Sequence, residues 1–217
     1  MTRPRAVFFD LDGTFADTAP DLGHALNRMR ERRNLPPLAI ETVRPHASAG
    51  ARGLLHLSFG LTPEDPDYGV LREEFLALYS EALCRHTRLF PGIPELLDRL
   101  EARGIVWGIV TNKPERFTRP LLAALGVASR ARCIVSADTC PHPKPHPEPL
   151  LTASRQVGIE PPACLYLGDD ERDVQASLAA GMRPVVARYG YLGDGRPWQA
   201  WGAQGAITQP LELLDLL

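Results

Sequence analysis

The run V-F-F-D-L-D-G-T, residues 7–14, ends in two carboxylates one residue apart, Asp10 and Asp12, where like charges repel. Further along stand T-N-K (Thr111, Asn112, Lys113), Lys144 in a proline-rich loop, and G-D-D-E-R-D (168–173), which holds Asp169, Asp170 and Asp173. An ionised carboxylate can attack phosphorus and form an aspartyl-phosphate. A second one beside it, its pKa raised by the neighbouring charge, can protonate a departing alkoxide and later take a proton from water. Lys144 and the Thr111 hydroxyl can donate to phosphoryl oxygens.

Singly, these residues have ordinary explanations. Asp12-Gly13 suits a turn, and Asp169 or Asp170 suits a helix N-cap, with Asp173 favoured by the helix dipole. Thr111 can cap a helix at Pro114, and Lys144 can be solvated. Together they are harder to dismiss. If Asp10, Asp12, Asp169, Asp170 and Asp173 share one edge, two charges about 4 Å apart repel by about 4 kcal/mol at an effective dielectric of 20. A cation must hold such a cluster, and Mg²⁺ takes a few carboxylates while leaving positions for water and a phosphate oxygen.

The elements that must position these residues show in the hydrophobic pattern. Residues 6–9 read as a buried strand closed by a turn. From about 19 to 86, apolar residues fall at helical spacing, as in 21–33 (Leu22, Ala25, Leu26, Met29) and 68–83 (Leu71, Phe75, Leu78, Leu83), with no convincing strand between. After Phe90-Pro91-Gly92 helix and strand alternate: helix 94–100 and strand 105–110, helix 115–125 and strand 132–136, helix 148–157 and strand 164–167, helix 172–180 and strand 184–187. A weak strand, 206–208, precedes a last helix. This predicts an α/β fold, a Rossmann-like doubly wound parallel sheet with a smaller α-helical cap inserted after the first strand. The expected division is core 1–16, cap 17–86 and core 87–217. Ligands of such sheets bind beyond the carboxyl ends of the strands, where the polar residues above fall.

Composition narrows the partners. The 217 residues are 44% hydrophobic and 23% charged, with a formal net charge of −2, and no stretch concentrates Lys and Arg among aromatics, so nucleic acid is not expected. No apolar run reaches the length of a membrane span, and the run after Arg3 and Arg5 is too brief for a signal-peptide core, which makes the cytoplasm the expected compartment. Cys84, Cys133, Cys140 and Cys164 form no C-x-x-C pair and read mostly as small apolar residues. A zinc site at Cys140, His142 and His146 is disfavoured by the prolines that hold that segment extended and by the want of a fourth ligand. Nothing in the sequence sets an oligomeric state.

D-L-D-G-T (10–14), V-T-N-K (110–113), K-P (144–145) and G-D-D-E-R-D (168–173), in this order, resemble the four motifs of the haloacid dehalogenase superfamily of phosphatases, and the helical insert resembles the mobile cap of its phosphoglycolate phosphatase branch. The resemblance implies Asp10 as nucleophile and Asp12 as general acid/base, with Thr111, Asn112 and Lys144 on the phosphoryl group. It implies Mg²⁺ on the Asp10 carboxylate, the Asp12 carbonyl and Asp169, supported by Asp170 and Asp173. Phe15 departs from the usual Leu without touching the chemistry.

The substrate must be selected by the cap, where S-A-G-A-R (48–52) joins small residues to a guanidinium at a helix start; Ser48 and Arg52 are the candidate substrate-binding residues. His46, His56 and His86 read as structural or solvated, and Tyr189, Tyr191 and Trp198 as packing. S-x-G-A-R, H-T-R-L-F-P-G (86–92), W-G-I-V-T-N-K-P (107–114) and R-Y-G-Y (188–191) look most like the N-acetylmuramic acid 6-phosphate phosphatases of Gram-negative cell-wall recycling. The expected partner is a small phosphorylated metabolite bearing a carboxylate, with 2-phosphoglycolate as the alternative. A sugar-phosphate mutase and a phosphoacceptor signalling module are further alternatives; the latter lacks an insert and a proton donor two residues after its Asp.

Overall fold

Apolar runs form strands and amphipathic stretches form helices in the computed structural model, which describes residues 3–193 and 195–217. Strands β1 (Ala6–Phe9) and β2 (Ala16–Asp17) are followed by helices α1 (Ala19–Glu31), α2 (Ile40–Val43), α3 (Gly50–Phe59) and α4 (Tyr68–Ser80). The chain then runs through β3 (Arg88–Leu89), α5 (Ile93–Ala102), β4 (Val106–Val110), α6 (Glu115–Ala124), β5 (Ile134–Val135), α7 (Glu148–Val157), β6 (Cys164–Gly168), α8 (Glu171–Ala179), β7 (Arg183–Ala187) and β8 (Gly205–Ile207). The expected last helix is a 3₁₀ segment, Pro210–Leu216.

Six strands form one parallel sheet in the order β5-β4-β1-β6-β7-β8. Alternate residues of β1 serve its two faces, as a strand's period of two requires. Val7 and Phe9 join a core with Leu96, Leu100 and Leu121, while Ala6 and Phe8 join one with Leu150, Tyr166 and Ala176. Phe15 is fully buried against Trp107, their ring centroids 5.7 Å apart. Chain order reverses around β1, which lies between β4 and β6. That switch point is where a doubly wound sheet leaves a crevice at its carboxyl edge.

The helices of residues 19–80 bury a separate apolar cluster, Leu22, Leu26, Met29, Leu54, Phe75 and Leu78 among it, which meets the sheet domain through Phe117 and Tyr191. The segment leaves and returns through the antiparallel pair β2 and β3, which the sequence pattern does not show. Two-residue strands are too short to display a period. Asp21, fully buried, fastens this junction: its carboxylate accepts from the backbone N–H groups of His86 (2.9 Å) and Thr87 (2.8 Å) and from the Thr87 hydroxyl (2.8 Å).

Candidate active site

The carboxyl ends of the three strands at the switch point deliver the motif residues. Asp10 follows β1, Thr111 to Lys113 follow β4, and Asp169 follows β6. Gly13, at φ +84°, turns the chain back beneath Asp169, and a Cβ there would collide with the Asp169 carboxylate and the Tyr191 ring. The turn needs glycine both for its left-handed backbone and for this close approach.

Asp10, Asp169 and Asp173 are buried, and one carboxylate oxygen from each lies within 4.8 Å of the others. Lys144 is buried among them; its Nζ donates to Asp10 Oδ1 (2.8 Å), Asp173 Oδ1 (2.7 Å), the Tyr166 hydroxyl (2.7 Å) and the Val110 carbonyl (3.1 Å). Burial alone would lower its pKa, but Asp10 and Asp173 outweigh that and raise it. Among the described residues Asp169 has only neutral donors: Thr14 Oγ1 (2.8 Å), Ser48 Oγ (3.0 Å) and the Tyr191 N–H (2.9 Å). Burial, then the charges of Asp10 and Asp173, push its carboxyl well above the usual range. Burial pushes Asp173 up to about 7 against the pull of Lys144.

Ionising all three carboxylates beside one ammonium would leave two negative charges uncompensated; burial and this imbalance are why Asp169 and Asp173 hold their protons more tightly here. A hard divalent cation with a preference for oxygen ligands matches both the deficit and the donor set. Asp173, expected only to support the metal, belongs to the triad itself, because α8 begins directly after β6 and turns its first-turn residue inward.

The expected convergence of five carboxylates is therefore a triad plus two that are separately paired. Asp12 turns away from the triad and accepts from Lys113 Nζ at 2.9 and 3.2 Å and from Thr18 Oγ1 at 2.5 Å. Asp170 is the N-cap of α8, accepting from the Arg172 N–H (2.9 Å) and from both sides of the Arg172 guanidinium (2.7 Å each). Burial would raise the Asp170 pKa, but Arg172 holds it below the usual range.

Thr111 accepts from the Lys113 N–H (3.1 Å), so its own hydroxyl proton is left for the cavity it lines. Asn112, expected on the phosphoryl group, turns its carboxamide elsewhere, bonding the Lys144 carbonyl (2.8 Å) and N–H (2.9 Å). Its side chain fixes the loop that presents Lys144. Ser48 reaches Asp169 rather than open space, and its carbonyl accepts from Arg172 (3.0 Å).

A cavity of about 270 Å³ lies between the sheet edge and the helical insert, with Asp10, Thr111 and Lys144 on one side and Arg52, Arg72 and Tyr79 on the other. Arg52 is exposed and has no ion-pair or hydrogen-bond partner among the described residues. A second cavity, about 470 Å³, separates residues 45–63 from α8 and touches none of Asp10, Asp12 or Lys144. The only group of three or more metal-ligating side chains among the described residues is the Asp10 triad. Cys140 instead contacts the Thr152 hydroxyl at 3.6 Å.

Sequence reasoning missed Thr14, Thr18, Tyr79 and Arg172 as parts of the site, and gave no role to Lys113, which it placed at the strand end with Thr111 and Asn112. Thr14 and Lys113 sit inside the quoted motifs, whereas Tyr79 reads as one more apolar position of an amphipathic helix. Tyr191 does more than pack: its hydroxyl accepts from the N–H groups of Thr18 (2.8 Å) and Ala19 (2.9 Å), and its own N–H holds Asp169. Tyr189 donates to the Thr14 carbonyl (3.0 Å), and Trp198 lies under Arg188.

The profile of the haloacid dehalogenase-like hydrolases matches residues 7–187. The chain is 43% identical over 215 residues to the N-acetylmuramic acid 6-phosphate phosphatase of Pseudomonas aeruginosa, covering 99% of this chain and 95% of that protein. It is equally 43% identical over 216 residues to a phosphoglycolate phosphatase of Xanthomonas campestris pv. campestris, covering 99% and 97%. A solved structure of a predicted phosphoglycolate phosphatase from Haemophilus somnus 129pt superposes with a TM-score of 0.85 at 26% identity, over 100% of this chain and 99% of that one.

Proposed function

The chain belongs to the haloacid dehalogenase-like hydrolases, and on that premise we propose that it is a Mg²⁺-dependent phosphomonoesterase acting through a phosphorylated Asp10, with N-acetylmuramic acid 6-phosphate as its substrate. The observation that carries the reading is the buried triad of Asp10, Asp169 and Asp173, two positive charges short when fully ionised, beside a lysine that also touches Asp10. Those three carboxylates would hold the metal, with the Asp12 carbonyl as a further ligand. When bound, the ion would neutralise the site and draw charge from phosphoryl oxygens.

The residues of the chain divide the work. An Asp10 oxygen forms a bond to phosphorus as the ester P–O bond breaks, and its electron pair goes to the leaving oxygen. That oxygen takes a proton from Asp12. Lys144 and the Thr111 hydroxyl bind the transferred phosphoryl group and stabilise the charge that develops on it. Water then attacks phosphorus as the bond from phosphorus to Asp10 breaks and gives a proton to Asp12; phosphate leaves, Asp10 is again a carboxylate and Asp12 again protonated.

The insert closes the far side of the cavity, and Arg52, exposed and unpaired, is suited to a substrate carboxylate. Both N-acetylmuramic acid 6-phosphate and 2-phosphoglycolate carry one. The volume of about 270 Å³ favours the sugar, since a two-carbon acid would leave most of it unfilled. The equal identity to a phosphoglycolate phosphatase supports that ester as the second reading. The four free cysteines fit a cytoplasmic, reducing setting.

Phosphate release should be measured on a panel containing both esters and generic aryl phosphates, with and without Mg²⁺. Preference for N-acetylmuramic acid 6-phosphate, with inorganic phosphate as product, is expected. An isomerised sugar phosphate would instead mark a mutase. Equal rates on all esters would remove the substrate assignment and leave the chemistry standing.

A further inference from the structure

The two carboxylates that end β1 each have a lysine of their own. Lys144 serves Asp10, and Lys113, with no role in the mechanism above, serves Asp12. Lys113 is 7% exposed and its Nζ reaches both Asp12 oxygens, at 2.9 and 3.2 Å.

The stem of this lysine is fixed at both ends of its peptide unit. Its N–H donates to Thr111 Oγ1 (3.1 Å), and its carbonyl accepts from the Ala137 N–H (3.2 Å) and the Thr118 hydroxyl (3.1 Å). Its head lies 4.7 Å from the centre of the Tyr79 ring, which the insert delivers from α4. The Tyr79 ring is packed by Phe117 (5.5 Å between centroids) and Phe75 (6.4 Å), and its buried hydroxyl has no hydrogen-bond partner among the described residues. Tyr79 offers Lys113 its π-face, to which a desolvated ammonium is attracted.

We propose that Lys113 is a positioning residue for Asp12: clasped by Asp12 and the Tyr79 ring, it aims the Asp12 carboxyl at the leaving oxygen and stabilises the carboxylate that forms there. The proposal rests on Asp12 as the general acid. As the ester P–O bond breaks and Asp10 bonds to phosphorus, the Asp12 proton moves to the leaving oxygen, and the negative charge that remains on Asp12 faces the Lys113 ammonium. The insert thereby contributes to proton transfer through Tyr79 as well as to substrate choice.

The test is the dependence of kcat/KM on the leaving group, because an acidic phenol departs without a proton and an alcohol does not. Lys113→Met, Lys113→Arg, Tyr79→Leu and Asp12→Ala are compared with the wild type on an alkyl phosphate and on para-nitrophenyl phosphate. General acid catalysis contributes about 10²–10⁴-fold, so Lys113→Met should lose about 10–10²-fold on the alkyl ester and less than about threefold on the aryl ester. Lys113→Arg should recover most of the loss, and Tyr79→Leu should show the same selectivity at smaller size.

If Lys113→Met loses rate equally on both esters while KM rises, Lys113 binds the phosphoryl group and the proposal is overturned. If Asp12→Ala itself spares no leaving group, the acid assignment fails and takes the proposal with it. If Asp12→Ala discriminates between the esters and Lys113→Met does not, the acid stands and only the positioning role is lost. Thermal melts accompany each variant, and Tyr79→Leu reads the same ratio if Lys113→Met does not fold.

Discussion

Across one cavity the sheet edge and the helical insert carry charge in opposite ways. At the edge, charges are buried or half-buried and engaged: Lys144 makes four polar contacts, Lys113 binds both oxygens of Asp12, and Asp170 is held by Arg172. On the insert, Arg52 stands exposed at the cavity wall with no ion-pair or hydrogen-bond partner among the described residues. Groups that must react are fixed beforehand, since reorganisation at the moment of reaction raises the barrier. A group that selects a substrate keeps its donors unpaired until the substrate supplies the partner. Tyr79 and Ser48 are exceptions, insert residues that face the edge's chemistry through Lys113 and Asp169.

The difference is most easily broken at the edge. Asp10→Asn should lower phosphate release by at least about 10⁴-fold, the scale on which removal of a nucleophile acts, while the melting temperature stays close to that of the wild type. Release at near-normal rates by this variant would remove Asp10 from the chemistry.

The charge deficit gives the next largest effect, and it is read without activity. Ligand at about one hundred times its dissociation constant adds about 2.7 kcal/mol, or about 5–10 °C in Tm for a chain of this length. Without metal, folding raises the Asp173 pKa from 3.8 to about 7 and raises that of Asp169 as well. The folded state then keeps protons that the unfolded chain loses, so this contribution to stability is complete below the unfolded pKa and is lost as pH rises through the folded one. At one fixed Mg²⁺ concentration, the ion should therefore raise Tm more near pH 7.5, where it does not compete with those protons, than near pH 5, as read by calorimetry. A pH-independent shift, or none, would contradict a metal on these carboxylates.

The smallest effect belongs to the insert. Arg52→Ala should raise KM for a carboxylate-bearing ester about tenfold, as the loss of one charged hydrogen bond predicts. Its kcat and Tm should hardly change, and a carboxylate-free ester should be turned over as before. Equal losses on both esters would place Arg52 on the phosphoryl group instead.

The order of helices and strands after residue 90 was legible because buried parallel strands read as apolar runs and each is flanked by an amphipathic helix. Asp10 and Asp169 were legible as candidates for the same reason, since each directly follows a buried strand, whereas the place of Asp173 in the triad depends on how α8 turns off β6. Less showed elsewhere. β2 and β3 pair over two residues each, and α3 begins at a glycine with little periodic signal before it. Asn112 and Ser48 were assigned by the company they keep in the sequence, and their side-chain bonds to Lys144 and Asp169 depend on how loops 32 and 121 residues apart come together.

By itself the sequence determined which side chains stand at the ends of the central strands, because strand length and turn chemistry are local properties. Only the tertiary structure decided which of those charges meet. It gathered Asp10, Asp169 and Asp173, sent Asp12 to Lys113 and Asp170 to Arg172, and laid Tyr79 against Lys113. The physical reason is that Coulomb attraction and desolvation depend on distance and burial in space, and no local pattern along the chain encodes either.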